Sequence, residues 1–120
     1  MRTLLVLALS AGTAIAAPLH LKPQDIIGDW ISLQRCSDSL WKFSASGKYF
    51  GRCHDSVEGG RWTLQSGNKI IVTHYDDLLQ ETVSPKSRRE TFTILGFEPH
   101  SDRTFMWILW HGGTGDKLMK

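Results

Sequence analysis

Turn signals recur along this chain about every 8–12 residues, with short runs of alternating or β-branched side chains between them. Ala45-Ser46-Gly47, Ser66-Gly67-Asn68, Pro99-His100-Ser101-Asp102 and His111-Gly112-Gly113-Thr114-Gly115-Asp116 are the plainest of these turns. That rhythm predicts an all-β chain, folded as a sandwich or a barrel. About eight strands are expected, over residues 26–33, 40–44, 48–53, 60–65, 69–75, 90–97, 104–110 and 117–120. Asp76 to Lys86 is ambiguous: it reads as one helical turn or as extensions of the flanking strands. Lys86-Ser87-Arg88-Arg89 reads as a basic turn.

The first of these strands opens on Gly28-Asp29-Trp30. Strand alternation puts Ile26, Gly28, Trp30 and Ser32 on one face and Ile27, Asp29 and Ile31 on the other. Trp30 is expected in the core, with its indole N–H seeking a partner. Gly28, lacking a Cβ, lets another segment come close. An aromatic hairpin, Phe43-Ser44-Ala45-Ser46-Gly47, and a second pair, Gly60-Arg61-Trp62, follow. Together these motifs resemble the lipocalin/calycin superfamily, and most nearly its short bacterial lipocalin-like domains. The resemblance runs from about Ile26 to the C-terminus. It implies a small antiparallel up-and-down β-barrel of about eight strands, with a ligand site in the barrel mouth. Two departures stand out. No Thr-Asp-Tyr-like segment is present, and the last strand has no arginine to pack over Trp30. Lys117 or Lys120 would have to take that place.

Ahead of the barrel, Met1-Arg2-Thr3 followed by Leu4-Leu5-Val6-Leu7-Ala8-Leu9 and Ala14-Ile15-Ala16 has the layout of a signal peptide. The expected division is a signal peptide over residues 1–16, an N-terminal tether over 17–25 and one domain over 26–120. The apolar run is too short to span a bilayer, and no cysteine follows the cleavage site to carry a lipid. The expected product is exported, periplasmic or secreted, and soluble. The formal charge of +2 falls to about +1 when Arg2 is removed. No basic stripe is available to neutralise a row of phosphates, so nucleic acid is not an expected partner.

The chain has two cysteines, Cys36 and Cys53. An even count in an oxidising compartment predicts that they form a disulfide. Such a bond would stabilise a domain of this size by about 3 kcal/mol on the chain-entropy model. A zinc site built on both sulfurs lacks a second ligand pair at suitable spacing. A catalytic thiol would need a base, and His54, adjacent to Cys53, points to the opposite face of a strand.

Five histidines are scattered along the chain, several beside carboxylates: His54-Asp55, His74 near Asp76, and His100 near Asp102. None has the spacing that marks a metal site or a catalytic pair, and these three pairs fall at strand ends or turns. Ser46 lacks the frame of a nucleophile elbow. Gly112-Gly113-Thr114-Gly115 reads as a hairpin turn, with no helix after it to receive a phosphate. No catalytic residue, metal ligand or cofactor is therefore assigned.

Thr104 to Trp110 is the most apolar strand, and both of its faces call for cover. The face carrying Phe105, Trp107 and Leu109 is read as inward. The face carrying Met106, Ile108 and Trp110 either lies under a loop or the N-terminal tether or is an exposed patch for a protein partner or a second copy. Two functions remain. One is a binding module for a small apolar or amphipathic ligand, lined by Trp41, Phe43, Trp62, Phe92 and Trp107. The other is a protein-interaction module, an inhibitor or immunity-type protein, working through loops and Met106, Ile108 and Trp110. Interior volume separates them, since eight-stranded barrels are either packed solid or hold one small ligand.

Overall fold

The computed structural model describes residues 20–33, 36 and 39–120. The signal-peptide assignment and the start of the tether lie outside the described residues. Among these residues the chain forms eight strands: β1 Gly28–Ser32, β2 Ser39–Phe43, β3 Lys48–Cys53, β4 Ser56–Gln65, β5 Lys69–His74, β6 Arg89–His100, β7 Arg103–Trp110 and β8 Gly115–Met119. Each strand pairs antiparallel with the next, and β8 returns to β1, so the sheet closes into an up-and-down barrel. The turn rhythm anticipated an all-β sandwich or barrel of about eight strands, and the resemblance anticipated the up-and-down barrel. Closure removes the unpaired edges that would otherwise template aggregation.

Several strands run further than alternation alone suggests. His54 and Asp55 make a two-residue turn, and β4 begins at Ser56, opposite Cys53. Ser101 and Asp102 do the same between His100 and Arg103. The first residue of each turn, His54 and Ser101, takes a left-handed φ of 55° and 57°. The segment after β5 contains no helical turn. Thr82 pairs with Asp77 in a lone bridge, and Asp77 Oδ1 accepts hydrogen bonds from the amides of Leu79 and Gln80.

One end of the barrel is shut. Trp30 is fully buried there, and its Nε1 donates to the Ile26 carbonyl at 2.8 Å. Lys120 Nζ lies 4.8 Å above the Trp30 ring and donates to the Ile27 carbonyl at 3.1 Å. Lys120 therefore takes the place that the sequence left open between Lys117 and Lys120. Gly28 is required at this corner: its φ is +142°, and a Cβ would meet Lys120 Cδ at 2.7 Å. Gly60 answers to a different contact, since a Cβ there would run into the Thr73 carbonyl of the neighbouring strand.

Above Trp30 the interior is filled with rings. Phe43 contacts Trp62 at 5.5 Å and Tyr49 at 5.4 Å, while Trp110 lies 4.9 Å from Phe92 and 5.0 Å from Trp41. Tilted and edge-on pairs of this kind each contribute about 0.5–1.5 kcal/mol beyond their buried area.

The two faces of β7 are the reverse of the expectation. Met106, Ile108 and Trp110 are buried, whereas Trp107 and Leu109 are 38% and 37% exposed. Register explains this. Trp110 pairs with inward-facing Phe92 and Ile108 with inward-facing Ile94; a bulge between Ile94 and Gly96 then brings Phe97 opposite Met106. Met106, Ile108 and Trp110 are thus core residues rather than an exposed patch, and Trp107 lies outside the barrel rather than lining it.

Candidate functional site

The open end of the barrel gathers the ends of β1, β3, β5 and β7 with the starts of β2, β4, β6 and β8. Its floor is aromatic, formed by Trp41, Tyr49 and Trp110. Its walls are polar and charged, with Arg52, Glu58, Arg88 and Glu90 around a cleft of about 310 Å³. The disulfide between Cys36 and Cys53, with Cα atoms 5.9 Å apart, forms part of the rim. It ties the segment after β1 to the end of β3 and thereby fixes one wall of the mouth.

On the opposite wall, His74 ends β5 with its imidazole turned inward and only 5% of the residue exposed. Its Nε2 meets Glu90 Oε1 at 2.6 Å, and its Nδ1 lies 4.0 Å from Glu58 Oε2. Arg88 spans the two carboxylates, 3.2 Å from Glu90 Oε1 and 3.6 Å from Glu58 Oε2. Tyr49 donates its hydroxyl to Glu58 at 3.0 Å. Burial first, and the charge of Glu58 second, hold that phenol well above its ordinary pKa of 10.0, so Tyr49 is a fixed neutral donor.

Pairing across strands creates this group. Gly60 faces His74, so Glu58, two residues before Gly60 on β4, shares the inward face; Val72 faces Glu90 in the same way. Asp76, the nearest carboxylate to His74 along the chain, is not its partner: it accepts a hydrogen bond from Ser87 Oγ at 2.9 Å. Two inward acids at the starts of β4 and β6 were the missed signal, readable once β5 is set between them.

The sequence-derived lining residues divide. Trp41 borders the mouth cleft. Phe43 and Phe92 lie deeper, fully packed in the ring cluster. Trp62 is buried toward the closed end, where its Nε1 donates to the Ser44 carbonyl at 3.0 Å. Trp107 stands outside, donating to Glu98 at 3.1 Å with Lys117 Nζ 4.5 Å above its ring.

Fold and site together define a class: a small closed antiparallel barrel with an aromatic-floored, charged mouth. No protein-family model, curated protein or solved structure matches the chain. No helix among the described residues is long and apolar enough to cross a membrane.

Proposed function

We propose that the chain is an exported, lipocalin-like binding module that holds a small amphipathic ligand across the barrel mouth. The observation that carries this reading is the pairing of an aromatic floor with charged walls in one cleft. Ligand sites commonly combine an apolar surface with a few fixed polar groups, at volumes of about 300–1,000 Å³. The ring cluster fills the barrel below the cleft, so the ligand is small and lies at the mouth. Its apolar body stacks on Trp41 and Trp110, and its polar group reaches Arg52 or the Glu58–Arg88–Glu90 wall. The test uses 1-anilinonaphthalene-8-sulfonate, a flat apolar ring system bearing one anion. Saturable binding that Trp41→Leu weakens about tenfold, and Trp107→Leu leaves unchanged, is the expected result. Failure to saturate, or equal loss in both variants, counts against the mouth.

A second reading, a protein-interaction module, is favoured by one observation. Trp107 and Leu109 occupy successive outward positions of β7, beside Leu95, which is 45% exposed. Large exposed aromatic residues are frequent anchors at protein interfaces. Native mass spectrometry of the exported protein separates the two readings. A small added mass supports the mouth ligand, and a protein complex abolished by Trp107→Ser supports the outer patch.

A further inference from the structure

Glu58, His74 and Glu90 each offer one donor atom within 4.8 Å of the other two, at the wall of the mouth. We propose that this trio is the site of a divalent transition-metal ion of the zinc class, with His74 Nδ1 and Glu58 as its ligands and Glu90, on His74 Nε2, holding the imidazole in place. The inference is independent of the small-ligand reading and does not require it.

Three observations support the site. First, the donors are mixed, an imidazole nitrogen and a carboxylate, with a second carboxylate on the far side of the ring; zinc-class ions accept such a set, whereas magnesium and calcium prefer all-oxygen sites. Second, His74 Nδ1 is buried and makes no hydrogen bond, although the side chain is only 6% exposed. A buried polar nitrogen without a hydrogen bond is costly, and coordination of an ion relieves that cost. Third, the two carboxylates already share a cation, because Arg88 bridges them. The Arg88 side chain is 60% exposed and can swing into solvent, leaving its place to an ion.

The path in is open as well. Glu58 and Arg88 border both the mouth cleft and a second, outer cleft that includes His74, Tyr75 and Asp76. Zinc bonds of about 2.0–2.2 Å bring tetrahedral ligands about 3.3 Å apart, so Glu58 Oε2, 4.0 Å from His74 Nδ1, must close slightly. The movement falls on the Glu58 side chain, which is 41% exposed, while Glu90 keeps His74 fixed through Nε2. Tyr49 holds one oxygen of Glu58 and leaves the other to turn toward the ion. Two protein ligands leave positions open to water or to a polar group entering the mouth.

The experiment titrates chelator-treated, disulfide-intact protein with zinc sulfate, by calorimetry and by the shift in Tm, with magnesium sulfate as control. Cobalt(II) reports geometry through its visible absorption. Saturable one-to-one zinc binding, a raised Tm, tetrahedral cobalt bands and no response to magnesium are expected. Glu58→Gln and Glu90→Gln, which preserve shape and can still accept the Tyr49 and His74 hydrogen bonds, each weaken zinc about tenfold or more. Arg88→Ala tightens zinc severalfold, because it removes the competing cation. Circular dichroism confirms that each variant is folded; should one glutamine variant misfold, the other together with Arg88→Ala decides. Absent zinc binding, zinc binding unchanged in the folded glutamine variants, or an equal response to magnesium would each overturn the proposal.

Discussion

Lys120 holds its ammonium 4.8 Å over the ring of Trp30, joining the last described residue of the chain to the first strand of the barrel. The same nitrogen donates to the Ile27 carbonyl, so the contact is anchored at both the ring and the backbone. A cation over an indole contributes about 0.5–2 kcal/mol, rising as the pair loses water. Lys120→Ala is expected to lower stability by about 1 kcal/mol, read as a lower urea midpoint at unchanged slope. Gly28→Ala is expected to be worse, because a Cβ meets Lys120 Cδ and the φ of +142° is strained for any side chain. The steric part should shrink in the double variant, so the two losses are non-additive. Simple additivity would mean that Gly28 answers to backbone strain alone.

Trp107 and Trp110 are three residues apart and lie on opposite sides of the sheet. Trp110→Ser is expected to destabilise the barrel by about 3–5 kcal/mol, the usual cost of deleting a large buried aromatic side chain. Trp107→Ser removes an exposed ring and should change stability by less than about 1 kcal/mol. Chemical denaturation of both variants checks the pair. Comparable losses would contradict the outward placement of Trp107.

That pair also shows where the sequence was readable and where it was not. The strands were legible because turn residues and alternation are local properties of the chain. The closing lysine was anticipated through the resemblance alone, and only as Lys117 or Lys120; the structure selects Lys120. The faces of β7 were not legible, because both faces are apolar and alternation carries no sign. The sign comes from the pairing of Trp110 with Phe92 and from the bulge after Ile94, which are properties of the assembled sheet. The mouth cluster was hidden for a related reason. His74 has Asp76 near it in the chain, but Glu58 and Glu90 reach it across the neighbouring strands.

The Cys36–Cys53 bond closes a 17-residue separation at the rim of the mouth. Reduction, or Cys36→Ser with Cys53→Ser, should lower stability by about 3 kcal/mol. Because both cysteines border the cleft, it should also weaken binding of the sulfonate probe while the protein remains folded. Probe fluorescence and denaturant midpoints, measured on the same samples, separate the two effects. Unchanged probe affinity in a folded, reduced protein would show that the disulfide serves stability alone.

Tyr49 gives the barrel a defined response to alkali. Burial, reinforced by the charge of Glu58, raises its pKa above the ordinary value of 10.0. The phenol therefore keeps its proton in the folded barrel at pH values where the unfolded chain has lost it. Above about pH 10 the folded state binds more protons than the unfolded state, so stability falls as pH rises; below that pH this group adds no slope. Tyr49→Phe should remove this part of the alkaline slope, while losing about 1 kcal/mol at neutral pH with the hydrogen bond to Glu58. The phenolate absorbance of Tyr49, obtained by difference against the variant, should appear together with loss of the β-sheet circular dichroism signal. Its appearance near pH 10 in a barrel that is still folded would show that the hydroxyl is hydrated and free of Glu58.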